Sequence, residues 1–275
     1  MEQAELLDKI QNRTKFLRNK FSESDVNYLS GELSQLIFKE EEILTPFLDP
    51  AQRQILKELA GNDFSLQEFG GYHDFEKARV IIRKDWQYQE VNSFEVALFE
   101  INYNQKFSQI SHGQILGVLA NSGIQLSAFG DIITDGQGRW QFFAKQELAD
   151  FFQNEIFKIG STHVKIKKLP INHVLPVVDE HEENSYIVSS LRLDAVVSAL
   201  SRISRKQGQG KITDGEIKIN WHEEHDFNIM VKMDDVISIR HLGRIKIINI
   251  TTTRKGRYCL EVYLWQSKNH KIKRH

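Results

Sequence analysis

Arg192, Arg202, Arg205 and Lys206 surround a stretch in which Leu193, Val196, Val197 and Leu200 recur on one helical face, and Ser204 stands where it can cap a second short helix. The chemistry open to this pattern is phosphate binding. The free N–H groups and dipole of a helix start favour an anion, and guanidiniums add paired hydrogen bonds. Lys211 follows in the second helix, Lys218, Arg240 and Arg244 follow on or beside expected strands, and Lys246, Lys255 and Arg257 continue the series. Such contacts hold a sugar-phosphate backbone and read the shape of RNA more than its sequence.

The remaining reactive residues point to no catalytic or metal chemistry. His222-Glu-Glu-His225 lacks the i, i+4 spacing that sets two histidines on one helical face, and it reads as a solvated turn. Asp135-Gly-Gln-Gly138 reads as a hairpin turn, because no lysine and no strand-loop-helix context make it a phosphate loop. The single cysteine, Cys259, lies in an alternating Arg257-Tyr-Cys-Leu-Glu-Val-Tyr run and reads as a packed thiol on a strand. It excludes an intrachain disulfide and a cysteine-built zinc site. His112, at the start of an expected helix, reads either as a second RNA contact or as a local cap. No cofactor, metal or small-molecule substrate is expected.

Charge separates these residues from the rest of the chain. Residues 186–275 hold 17 Lys+Arg against 9 Asp+Glu, whereas residues 1–185 hold 19 against 28, although the whole chain carries only −1. A one-sided basic region is the footprint of a polyanion binder. With 275 residues, 40% of them hydrophobic and 27% charged, the chain has the make-up of a globular protein of two or three domains. The opening Met1-Glu-Gln-Ala-Glu lacks the regions of a signal peptide, and no run reaches the roughly 18 apolar residues of a membrane span, so a cytoplasmic location is expected.

The elements that must position the cations follow from apolar spacing. Residues 1–71 read as a helical domain, with Leu7, Ile10, Leu17 and Phe21, then Val26, Leu29, Leu33, Leu36 and Ile37, at helical spacing, and with Asp49-Pro50 opening a helix that ends before Gly61. Residues 72–170 alternate strands and helices: strands at 79–83 and 94–101, a helix over 113–120, a hairpin around 135–138, a helix over 146–157 and a strand at 164–167. The expected fold is α+β, with an RRM-like sandwich whose open sheet face could bind RNA. A connector over 171–185, with an edge strand at 173–177, leads to a module of two helices on a small bent sheet over 186–265, followed by a basic tail over 266–275.

At Ser190-Leu-Arg-Leu-Asp194, Ser204-Arg205, Gly215, Asn220-Trp221, Arg240 with Gly243-Arg244, and Lys255-Gly-Arg257 the module resembles the S-four-type, or αL, RNA-binding domain. More narrowly, the chain resembles the bacterial YlmH family. Gly70-Gly-Tyr72 with Glu76, Ser111-His112, Leu116-Gly117, Gly123-Ile124 and Gly130-Asp131-Ile132 fit that family's pattern upstream, and the resemblance spans about 65–260. The chain departs from it at Gly208, Gly210, Lys211 and Asp234 in the module, and at Gly113 and Leu126, where the family tends to carry arginines. Two glycines inside a helix cost about 1 kcal/mol each.

The resemblance implies a noncatalytic protein bound to the large ribosomal subunit, touching its rRNA and tRNA or peptidyl-tRNA, in quality control of stalled complexes. Arg192-Leu-Asp194 is also similar to the Arg-Leu-Asp of pseudouridine synthases, but Ala-Val-Val-Ser-Ala follows in place of that motif's threonine and glycine. Asp194 is therefore expected to support the first helix. The rival readings are an RNA-modifying enzyme and an interaction factor linked to cell division.

Overall fold

The computed structural model describes residues 2–39, 41–84, 88–179 and 181–266. The chain divides into two compact units, Met1–Asp179 and Glu180–His275. Of the basic tail expected at 266–275, all beyond Gln266 lies outside the described residues.

The first unit begins with α1 (Glu2–Leu17), α2 (Glu23–Lys39), β1 (Ile43–Leu44), α3 (Pro50–Ala60), β2 (Ser65–Phe69) and β3 (Arg79–Arg83). Helix α3 starts as Asp49-Pro50 predicts: Asp49 Oδ1 accepts from Gln52 N at 2.9 Å, and Gln52 Oε1 accepts from Asp49 N at 3.1 Å. Ile10, Leu17, Val26, Leu29, Leu33, Ile55 and Leu59 of the three helices share one core with Val80 and Ile82 of β3. The expected all-helical segment therefore carries a sheet of its own, ordered β1-β3-β2 and antiparallel. The strand at 79–83, expected in the middle domain's sheet, belongs here, and its unbroken apolar run reflects burial on both faces.

Next come β4 (Val96–Asn102), α4 (His112–Ala120), β5 (Phe129–Thr134), β6 (Trp140–Lys145), α5 (Ala149–Glu155), the short pair β7 (Lys158–Ile159) and β8 (Thr162–His163), and β9 (Lys165–Leu169). The helix expected over 146–157 is shorter: a 3-10 turn at Gln146–Leu148 precedes α5, and the chain enters β7 soon after α5 ends. The four-stranded sheet is antiparallel with order β5-β6-β4-β9, so it is a βαββαβ unit. On one face Phe99, Ile101, Phe142 and Ile166 pack against Ile115, Leu119 and Phe152 of the helices.

The opposite face, expected to be open, is largely closed. Leu98, Ile133 and Phe143 are buried there with Phe47, Ile81 and Leu175. Gln141, also buried, donates to His173 O at 3.1 Å and accepts from Leu175 N at 3.0 Å, and Val178 N donates to Thr134 O. Residues 173–177 thus form no edge strand, because a side chain takes the hydrogen bonds that a neighbouring strand would supply. The Gly70-Gly-Tyr72 segment closes the same face: Gly71, at φ +109°, leaves room for the Phe143 ring, on which Tyr72 stacks at 5.4 Å. Asp131 anchors that loop by accepting from Tyr72 Oη, Glu76 N and Lys77 N, and burial pushes its carboxyl above the usual range.

The second unit consists of β10 (Glu182–Val188), α6 (Leu193–Ser201), α7 (Arg205–Thr213), β11 (Ile217–Ile219), β12 (His222–Glu223), β13 (Val236–Ile239), β14 (Gly243–Thr252) and β15 (Tyr258–Gln266). Strand β10 starts inside the expected connector and pairs along its length with β15. The antiparallel sheet, ordered β10-β15-β14-β13-β11-β12, is larger than the small sheet expected, and β14 bends at a bulge between Ile247 and Asn249. Leu193, Val196, Val197, Leu200 and Ile212 of the helices pack onto Ile217, Ile237, Ile239, Ile245, Ile247, Leu260 and Val262. Among the described residues no helix is long and apolar enough to cross a membrane.

Candidate nucleic-acid interface

Helix α6 is pinned at its start, where Leu193 N donates to Ile229 O at 2.9 Å and Val231 N to Leu191 O at 2.9 Å. It stops at Arg202, whose left-handed backbone (φ +54°, ψ +43°) turns the chain toward α7. Ser204 then caps α7, accepting from Gln207 N, while Gln207 Oε1 accepts from Ser204 N at 2.9 Å. The two helices meet closely, because a Cβ on Gly208 would lie 3.2 Å from Asp194 O and 3.5 Å from Ser198 N. Gly208 therefore suits its site, whereas Gly210 has open space beside it.

The centre of this corner is Asp194, which is 0% exposed. Its carboxylate accepts from Arg192 Nε (3.2 Å) and Nη2 (3.0 Å), Arg205 Nη2 (2.9 Å) and Gln209 Nε2 (2.8 Å). Burial pushes the carboxyl up, but the hydrogen bonds from Arg205, Gln209 and Arg192 outweigh it and hold its pKa at about 2, against 3.8 ordinarily. The expected supporting role of Asp194 is thus a bond between α6 and α7 that also fixes two guanidiniums on one carboxylate. Arg192 lies over the Phe227 ring at 6.0 Å. Arg202, Arg205 and Lys206 are exposed on the same corner.

The other expected cations lie elsewhere in the second unit. Strand pairing aligns Lys218, Ser238, Arg244 and Trp265 in one row, and alternation directs that row away from the helix-facing core. Each cation on that outer face has a companion: Glu223 lies 3.5 Å from Lys218, Asp234 lies 3.8 Å from Lys246, and Arg244 stacks over Trp221 at 5.5 Å. Lys211 is paired with Glu216, and Arg240, exposed at the end of β13, donates its backbone N–H to Glu216 O. Lys255 and Arg257 are exposed in the turn between β14 and β15. The structure brings Arg192 and Arg205 together, with Arg202 and Lys206 close by in sequence, but distributes the remaining cations over other faces.

His222-Glu-Glu-His225 differs from expectation in one respect. His222 and Glu223 form β12, and Asn220-Trp221, both at positive φ (49° and 69°), make the two-residue turn. Among the described residues no group of His, Cys, Asp or Glu is arranged to hold a metal ion. In the first unit, His112 is the exposed first residue of α4, and the cap of that helix is Ser111, which accepts from Gln114 N. Sequence reasoning missed Gln209 and Phe227, which complete the environment of Asp194 and Arg192. The i, i+4 relation of Arg205 to Gln209 was the available signal.

Comparison with known proteins gives these geometries a context. Residues 89–173, the βαββαβ unit, match the family model described as "Putative RNA-binding domain in YlmH". The chain is 34% identical over 218 residues to the ribosome-associated protein quality control protein P2 of Bacillus subtilis (strain 168), a match covering 78% of this chain and 84% of that protein. It is 30% identical to a solved structure, the cell division protein ylmH from Streptococcus pneumoniae, with a TM-score of 0.49, covering 56% of this chain and 93% of that one. An RNA-binding-domain match thus falls on a mixed α/β chain that carries a second unit with a basic helix corner. The chain belongs to the YlmH family.

Proposed function

We propose that this protein is a noncatalytic, cytoplasmic RNA-binding protein that associates with the large ribosomal subunit, contacts its rRNA and tRNA, and acts in quality control of stalled peptidyl-tRNA complexes. The observation that carries this reading is the 34% identity, across 84% of its length, to a relative named for ribosome-associated quality control. The geometry agrees in kind. In the second unit, read as an S-four-type module, Arg192 and Arg205 are held on a buried carboxylate beside the exposed Arg202 and Lys206, a fit for phosphate oxygens. The βαββαβ unit, read as RRM-like, supplies a second RNA contact. The protein needs no metal, cofactor or small-molecule substrate for this role.

The test is co-sedimentation with isolated small subunits, large subunits and large subunits carrying peptidyl-tRNA, at low and moderate salt. Selective pelleting with the tRNA-bearing large subunit, weakened by Arg202→Ala with Arg205→Ala, is expected. Pelleting with no particle overturns the reading. A change in nucleoside mass after incubating rRNA with the protein would replace it with an RNA-modifying activity.

A further inference from the structure

The closed sheet face leaves open which surface of the βαββαβ unit meets RNA. Residues 89–173 hold seven Lys+Arg and eight Asp+Glu, so the unit as a whole has no basic excess. Three of those cations are occupied: Arg139 binds Glu100 at 2.6 Å, Lys145 lies 3.7 Å from Glu147, and Lys106 sits over the Phe107 ring at 5.4 Å. The other four, Lys158, Lys165, Lys167 and Lys168, fall within one short stretch that contains no acidic residue, and all four are exposed.

Their placement is ordered. From Thr162 to Lys167 the chain alternates strictly, with Thr162, Val164 and Ile166 buried and His163, Lys165 and Lys167 exposed. His163, Lys165 and Lys167 therefore project to one side, successive members about 7 Å apart along the strand. Lys158 pairs with His163 across β7 and β8 and extends the row, whereas Lys168, paired with Phe99, projects to the opposite face of the sheet. Opposite Lys165 stands Asn102, and opposite Lys167 stands Glu100, whose Oε1 is already bound by Arg139. A solvated charged face is the ordinary state of a lysine run. Here, however, three of the four unmatched cations of an otherwise acidic unit, Lys158, Lys165 and Lys167, are gathered on one row.

We propose that the row Lys158, His163, Lys165 and Lys167 is the RNA-binding surface of this unit, and that it grips the phosphate backbone without reading bases. The proposal rests on the RNA-binding reading of the chain and names the surface that carries it in the first unit. Ammonium groups on exposed, extended chain suit phosphates as point charges and supply no stacking platform, in contrast to a sheet that presents aromatics to bases.

The test uses the full-length chain with Lys158→Gln, Lys165→Gln and Lys167→Gln together, in filter binding to deproteinised large-subunit rRNA across a salt series. A control of equal charge change carries Lys9→Gln, Lys15→Gln and Lys20→Gln on α1 and the turn that follows it. The row variant is expected to reduce the slope of log affinity against log salt by about 2, at roughly 0.7 per lost phosphate contact. The control should leave the slope unchanged. Equal slopes for the two variants overturn the proposal, as does loss of pelleting with large subunits while affinity for naked rRNA is intact, which would assign the row to a protein partner. If the unaltered chain binds no rRNA, the RNA-binding reading falls and this proposal with it.

Discussion

Asp194 of α6 and Arg205, the first residue of α7, meet at 2.9 Å, with the carboxylate wholly buried and the guanidinium about half exposed. The pair joins two helices and gives an arginine at the protein surface a fixed origin. Arg192 lies on the same carboxylate, so its position and that of Arg205 are set by one residue.

That arrangement separates charge from position. Asp194→Asn raises the net charge of the corner by one, which on charge alone would tighten binding to a polyanion. Because the carboxylate fixes two guanidiniums, weaker binding to large-subunit rRNA is expected instead, by several-fold, with the fold checked by circular dichroism. Tighter binding would show that Asp194 does not position the arginines.

Stability should depend on acid through the same group. Its folded pKa of about 2 lies below its ordinary 3.8, so ionised Asp194 contributes stability that is complete above about pH 5 and is lost as pH falls toward 2. The contribution is about 2 kcal/mol. Urea unfolding at pH 7 and pH 3 should show the loss in the native chain and a smaller one in Asp194→Asn.

The two glycines of α7 should respond in opposite directions. Gly210→Ala adds a methyl into open space and is expected to stabilise by about 0.5–1 kcal/mol. Gly208→Ala places a Cβ 3.2 Å from Asp194 O, so the backbone of α6 must give by a few tenths of an ångström, and a net destabilisation of about 1 kcal/mol is expected. Thermal unfolding of the two single variants decides the matter.

Asp234 occupies a turn at φ +67°, a conformation that glycine adopts without strain. Among the described residues its side chain makes only an exposed pairing with Lys246 at 3.8 Å, a contact of little value. Asp234→Gly should therefore stabilise the unit by about 0.5–1 kcal/mol, read from the shift in urea midpoint at unchanged slope.

Removal of the Gln141 side chain should loosen the segment that closes the sheet face. Gln141→Ala leaves His173 O and Leu175 N without their partner and is expected to cost about 1–3 kcal/mol. Faster hydrogen exchange over 173–178 would show the opening locally.

Parts of this structure were legible in residues and others were not. Apolar spacing located α1 and α2, and Asp49-Pro50 placed the start of α3 because its signal is local. The period-2 run Ile217-Lys-Ile already implied that Lys218 faces away from the core, so the division of the cations between faces was readable in part. The allegiance of β3 was not, since Arg79-Val-Ile-Ile-Arg lacks alternation and says only that the strand is buried. Nor could sequence show that Gln141 holds His173 and Leu175, or that a Cβ at Gly208 would crowd the carbonyl of Asp194, because both depend on contacts between residues far apart in the chain.

Strand β9 is also the outermost member of its sheet, with one side of its backbone offered to no neighbouring strand among the described residues. Like charges at Lys165, Lys167 and Lys168 repel a second copy that would otherwise add its own strand there. Whatever neutralises those lysines, a bound polyanion or acetylation, removes that repulsion as well. Occupancy of the row and resistance to self-aggregation therefore share the ammonium groups of Lys165 and Lys167.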